Sequence, residues 1–220
     1  MTIDKPMVVF TIDGVGSSGV MPATTRLAIK LAGGNHDVRH FVWGHGFGRL
    51  VADIRDREHM YAKAANLALT IEELHLSGRR VSLVAKSGGT GVALKALELL
   101  PPDSVETVIL LAPAVSPSFD LHPALRAVKT KVYSFNSSFD LFWLGLCTSA
   151  VCTADGVRTK AAGCVGFQNA SQYEKLQEIN WSPLMMRSLH FGTHFGTSMY
   201  PFLRTYVVPL LQQDTESCLL

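Results

Sequence analysis

The sequence predicts an α/β fold, a mostly parallel central sheet flanked by helices, and three observations carry that expectation. Short β-branched and aromatic runs alternate with segments of helical period, the pattern of successive βαβ units. The runs at residues 7–12 (MVVFTI) and 80–85 (RVSLVA) are nearly continuous in apolar residues, as strands covered on both faces are. Glycine or proline follows most segments and punctuates the chain into units of ordinary size.

After the first strand at 7–12 comes a loop rich in Gly and Ser. Pro22 places the next helix beyond those glycines, at 24–32, where it ends on Gly33-Gly34. Residues 38–43 read as the second strand. Between 58 and 76 the apolar residues Met60, Ala64, Leu67, Ala68, Ile71 and Leu74 repeat at helical spacing and make one buried stripe, with Gly78 at the C-cap. The third strand, 80–85, leads into a helix at 90–100 that Pro101-Pro102 stops. Residues 105–111 and 131–135 are two further strands, and Pro113, Pro117 and Pro123 mark an irregular connection between them. The stretch 141–167 has no clear period and reads as a short lid-like excursion. Residues 198–211 close the fold as a helix, with Ser198 as N-cap, Pro201 in the first turn and Pro209 kinking or ending it. With no linker and no repeat, residues 1–220 are expected to form a single domain without a large cap.

Of the 220 residues 47% are hydrophobic and 17% charged, so a sizeable core is affordable and wholesale disorder is excluded. A formal charge of +2 without a basic cluster argues against a nucleic-acid partner. The N-terminus lacks a signal-peptide pattern, and no apolar run approaches the roughly 18 residues of a membrane span. Cys147, Cys152, Cys164 and Cys218 show no metal-ligand spacing and read as reduced thiols of a cytoplasmic protein. No cofactor or metal is expected, and oligomeric state is not legible.

The most informative stretch is Ser82–Leu94, SLVAKSGGTGVAL. An apolar strand ends at a serine flanked by small residues, and an apolar helix begins at once. A serine on so sharp a strand-to-helix turn presents its hydroxyl at the sheet's C-terminal edge, and small neighbours two residues to either side are a steric requirement. Ser87 is therefore the candidate nucleophile, with Ala85 standing where G-x-S-x-G has its first glycine. The Gly88 amide, at the start of the new helix, is placed to bind a developing oxyanion. A phosphate cradle is the rival for this turn, but the Gly-Lys-Ser/Thr order of a P-loop is absent.

The segment from Val81 to Ala114 resembles the nucleophile elbow, helix and following strand of α/β-hydrolase-fold esterases and lipases, and the order of elements is similar from Met7 to Leu211. The resemblance implies a catalytic acid after a later strand and a histidine near the C-terminus. Asp140, in the loop after 131–135, fits the acid position, and Asp120, after the preceding strand, is the alternate. In HFGTHFGT (190–197), His194 is the preferred base, being nearer the final helix, and His190 is the alternate. Histidines at i and i+4 can share a metal on a helix, but Gly192 and Gly196 interrupt one. His122 reads as a surface or packing residue, Asp155 as a turn residue, and Asp53 and Asp56 as solvated charges.

After the first strand, Asp13-Gly14-Val15-Gly16-Ser17-Ser18-Gly19 contains a literal G-x-G-x-x-G. In the hydrolase reading this turn supplies the second oxyanion donor, the amide of Gly14 or Val15. The same pattern could open a dinucleotide-binding unit, but no acidic residue follows the second strand to hold a ribose. The expected activity is hydrolysis of a small-molecule carboxylic ester by Ser87, His194 and Asp140 through an acyl-enzyme. The rivals are a non-catalytic binding protein on the same fold and a nucleotide-binding oxidoreductase.

Overall fold

The computed structural model describes residues 6–216, with side chains to residue 212. Cys218 and the first five residues, on which the reading of the N-terminus rests, lie outside the described residues. One sheet holds six strands, β1 (Val8–Ile12), β2 (Asp37–His40), β3 (Val81–Lys86), β4 (Val108–Leu111), β5 (Val132–Asn136) and β6 (Leu176–Asn180). Their order is β2-β1-β3-β4-β5-β6, and every pairing is parallel. The chain first builds outward from β1 to β2, then returns across β1 to β3 and proceeds the other way. That reversal makes the carboxyl ends of β1 and β3 the topological switch point, where open α/β sheets form their ligand crevice.

Five strands lie where the apolar runs place them. β6, with the sequence Leu-Gln-Glu-Ile-Asn, has no such run, because it is an edge strand and only partly buried. β2 stops at His40, short of residue 43. Beyond it the chain turns so that Trp43 is buried and its indole N–H donates to the Asp13 carbonyl at 2.8 Å.

Side chains alternate across the strands and build two apolar layers. On one face Phe10, Ile12, Leu83 and Leu110 pack against α3 (Arg57–Leu76) and α4 (Gly89–Glu98), through Met60, Leu67, Ile71, Val92 and Leu94. On the other face Val9, Val84, Ile109 and Phe135 meet Met21 and Ile29 of α1 (Val20–Leu31) and Phe202, Leu203 and Val207 near the C-terminus. The stripe read at 58–76 is thus the buried face of α3. Between β1 and α3 lie β2 and the short α2 (Leu50–Arg55).

Two helix boundaries differ from the sequence expectation. α1 starts at Val20, directly after Gly19, and Pro22 sits inside its first turn, where a missing N–H has no helical partner to lose. At the C-terminus Met199, in extended conformation, stands at the N-cap in place of Ser198. A helical turn (Tyr200–Phe202) widens into a π-helical turn (Leu203–Val207) before Val208–Glu216. Pro209 does not end this run; it is the second residue of the last segment, directly after the π-helical turn in which the regular i→i−4 pattern is interrupted.

α4 starts hard against the end of β1. A Cβ on Gly89 would meet the Asp13 carbonyl oxygen at 2.3 Å and that of Ile12 at 2.7 Å, both backbone atoms that cannot swing aside. Gly89→Ala is therefore expected to destabilise the protein by about 3 kcal/mol or more. Urea denaturation checks this, and a variant with an unchanged midpoint would show that the turn relaxes freely.

Candidate active site

Ser87 sits between β3 and α4 with φ at +50°, a left-handed conformation that costs a residue with a Cβ roughly 1–2 kcal/mol. The turn is over-determined by its surroundings. The Ser87 amide donates to the Leu111 carbonyl at 3.0 Å, and the Ser87 carbonyl accepts from the Thr90 hydroxyl at 2.5 Å and the Thr90 amide at 3.0 Å. Gly14 lies so close that a Cβ on it would stand 3.1 Å from Ser87 Cβ. A Cβ on Gly88 would overlap Val15 at 2.7 Å. The glycines of both motifs thus let two loops, one after β1 and one after β3, close around the same serine.

Asp140 and His194 meet. His194 Nδ1 stands 2.6 Å from Asp140 Oδ2, and the carboxylate is buried. Asp140 follows β5 through a tight turn in which its amide donates to the Ser137 carbonyl at 3.1 Å. Ser137 Oγ then donates to the Gly192 carbonyl at 2.7 Å, so the end of β5 holds the histidine loop as well as supplying its carboxylate. Gly192, at φ +77°, passes Phe139 where a Cβ would come within 3.0 Å. The ring of Trp143 lies 6.0 Å from that of His194.

The alternates are placed elsewhere. Asp120 is exposed and pairs with its near neighbour His122 at 2.8 Å. His190 is buried, packs edge-on against Phe202 at 4.8 Å, and has no hydrogen-bond partner for Nδ1. Burial holds its pKa down at about 4, with the field of Lys86 acting in the same direction and that of Asp140 opposing.

In the loop after β1, the Asp13 carboxylate is turned back into its own turn. It accepts from the Gly14 amide at 2.9 Å, the Gly19 amide at 2.7 Å and the Ser18 hydroxyl at 3.0 Å. Asp53 does the same from a distance and is buried, contrary to the solvated role its sequence context suggests. It accepts from the Gly16 amide at 2.7 Å and from the His45 amide and ring. His45 reaches on to Asp56 and stacks on His59 at 4.2 Å. Carboxylates therefore occupy the amides of Gly14, Gly16 and Gly19 that a dinucleotide pyrophosphate would need. Among the described residues no hydrogen bond engages the amides of Val15 or Gly88. Asp155 likewise exceeds its turn-residue reading, since its carboxylate accepts from both the amide and the hydroxyl of Ser116.

Ser87 and Gly88 open onto a cavity of about 190 Å³ lined mainly by apolar groups, among them Val15, Trp43, Met60, Trp143, Leu144 and Val151. One wall comes from the stretch that reads as lid-like. Its π-helical turn (Leu141–Cys147) directs Trp143, Leu144 and Cys147 inward and leaves Leu141, Phe142 and Leu146 exposed.

The chain is similar over 97% of its length to a solved CIB-like hydrolase from Thermoplasma acidophilum, covering 89% of that chain at 16% identity with a TM-score of 0.53. The chain has the α/β-hydrolase fold. Weaker likenesses, both at a TM-score of 0.46, are to carboxyl esterase 2 from the mycorrhizal fungus Tuber melanosporum and to an extracellular α/β-hydrolase from a Paenibacillus species. The first is 13% identical and covers 97% of this chain and 77% of its own; the second is 10% identical and covers 96% and 98%. No protein-family model matches the chain, and no curated protein is significantly similar to it. No helix among the described residues is long and apolar enough to cross a membrane.

The burial of His190 can be tested on stability. His190 keeps a pKa of about 4 in the folded protein. In the unfolded chain it takes its proton near pH 6.5, so acidification from 6.5 to 4 favours unfolding, by up to about 3 kcal/mol. His190→Leu is expected to remove that slope. Urea midpoints at pH 7 and pH 4.5, compared between the two proteins, decide it; equal slopes would show that His190 charges in the folded state.

Proposed function

We propose that this α/β-hydrolase-fold protein is a serine hydrolase that cleaves small carboxylic esters. The observation that carries the reading is the Asp140–His194 pair, assembled from residues 54 apart in sequence. It is hung from the end of the same sheet that presents Ser87 in a strained turn. A serine hydroxyl needs a base to take its proton, and a carboxylate on the far nitrogen holds that base in the right tautomer. With Nδ1 committed to Asp140, Nε2 of His194 is the nitrogen left to accept the Ser87 proton. Ser87 attacks the ester carbonyl, and the oxyanion is received by the amides of Gly88 and Val15. Collapse expels the alcohol with the proton from His194, and water releases the acyl group through the same base.

Gly14 shares the close approach, but its amide already serves Asp13, so Val15 is the better donor. The acid is Asp140, not Asp120, and the base is His194, not His190, whose ring is held neutral against Phe202. The cavity beside Ser87 takes the acyl group, and its mainly apolar lining favours an apolar substrate. The same machinery needs no cofactor.

A fluorophosphonate probe is expected to label wild type and to leave Ser87→Ala unlabelled. His194→Ala should lower kcat by about 10⁴-fold, whereas His190→Ala should retain most of it. Absence of labelling in the wild type would favour a non-catalytic binding protein on the same fold. A cavity of about 190 Å³ compares with the roughly 150 Å³ that holds benzene, so acyl groups of about four to eight carbons fit. Across a series of nitrophenyl esters, kcat/KM should peak in that range and fall by about tenfold or more at palmitate. A maximum at palmitate would show that the acyl chain lies outside this cavity.

A further inference from the structure

The position directly before Ser87 holds a buried lysine. Lys86 ends β3, and its alternation with Val84 sends the side chain to the sheet face covered by α1 and the C-terminal segments, away from the ester cavity. An apolar side chain would fill this place without desolvating a charge. What the ammonium finds there is the far side of the histidine loop. Nζ donates to Ser198 Oγ at 2.6 Å and lies 5.6 Å from the centre of the Phe195 ring. Ser198 closes the 3₁₀ turn (Gly196–Ser198), its amide donating to the Phe195 carbonyl at 3.0 Å, and the Thr197 hydroxyl donates to the His194 carbonyl at 3.1 Å. The loop that carries His194 is therefore tied on one side to the end of β5, through Ser137 and Asp140, and on the other to Lys86.

We infer that Lys86 is a positioning residue that docks the His194 loop onto the strand bearing Ser87, its ammonium holding Ser198 by a hydrogen bond and Phe195 by the ring face. The catalytic consequence rests on the serine-hydrolase reading; the tether itself does not. Among the described residues, this hydrogen bond joins the histidine loop to the strand of the nucleophile. A charge-assisted bond and a cation over an aromatic face both lose strength when the cation is lost. Burial lowers the Lys86 pKa to about 8, while the fields of Asp13, from the end of β1, and Asp140, after β5, oppose the shift. His190, on the same loop as His194, also feels the Lys86 charge. Below pH 8 the ammonium is intact and the loop is docked. Above it the amine keeps only a neutral hydrogen bond, and the His194 loop is held less tightly to β3.

The test has a kinetic arm and a spectroscopic arm, both on the full chain. In the kinetic arm, wild-type kcat on a nitrophenyl ester falls as pH rises through about 8, with KM unchanged. Lys86→Met loses that alkaline limb and, at pH 7, runs about tenfold slower with KM unchanged, because misaiming a base acts on kcat. Ser198→Ala is slowed in the same way, and Ser198→Thr, which keeps the hydroxyl, is restored. In the spectroscopic arm, the low-field proton between His194 Nδ1 and Asp140, assigned by its loss in Asp140→Asn, is sharp in wild type at pH 7. It broadens above pH 8, and it is broad at both pH values in Lys86→Met. If wild type takes no fluorophosphonate label, the hydrolase reading falls and the proton resonance still decides the tether. If Lys86→Met keeps the wild-type kcat, alkaline limb and line width, or Ser198→Ala leaves the resonance unchanged, Lys86 has no positioning role.

Discussion

Everything at this site depends on how closely the β3–α4 turn is pressed onto the end of β1. Gly89 rides on the carbonyls of Ile12 and Asp13, Gly14 faces the Ser87 side chain, and Gly88 faces Val15. A methyl group at any of these contacts would push two adjacent strands' loops apart. With hydrogen instead, the start of α4 and the turn after β1 converge on one point, and the left-handed backbone at Ser87 is held there. The strain is retained because parallel pairing of β1 with β3, residue for residue from Val8–Val81 to Ile12–Ala85, leaves the turn no other place to go.

Around that contact, buried and half-buried carboxylates organise the loops. Asp13 gathers its own turn and the start of α1; Asp53 ties that turn to the His45 loop; Asp155 ties Ser116; Asp140 holds His194. Asp13, Asp53 and Asp140 are buried acceptors, and each is matched to backbone or ring N–H donors; a buried polar group left unpaired costs about 1–3 kcal/mol. The cation among them, Lys86, sits on the opposite face of the sheet from the cavity. The cavity beside Ser87 is left mainly apolar.

Much of this was legible in the residues, for identifiable reasons. Continuous apolar strands announce themselves because both faces are covered, so five of six strands could be placed; β6 could not, because an edge strand half open to water needs no apolar run. Ser87 was visible because a sharp strand-to-helix turn demands small neighbours. Asp53 was not, because a carboxylate on a short amphipathic segment looks the same whether it faces solvent or a loop 37 residues upstream. The histidines at 190 and 194 share one local context, and only packing against Phe202 or contact with Asp140 tells them apart.

Local chemistry thus determined the class of fold and the turn that bears the serine. These follow from sterics and solvent exposure within a few residues. Tertiary structure alone decided which acid meets which histidine, which amides remain free after Asp13 and Asp53 have taken theirs, and that the lysine before the serine reaches the histidine loop. Apart from the local turn of Asp13, those are contacts between residues 37 to 112 positions apart. They depend on strand order and on which side of the sheet a residue points, and no local pattern of side chains encodes either.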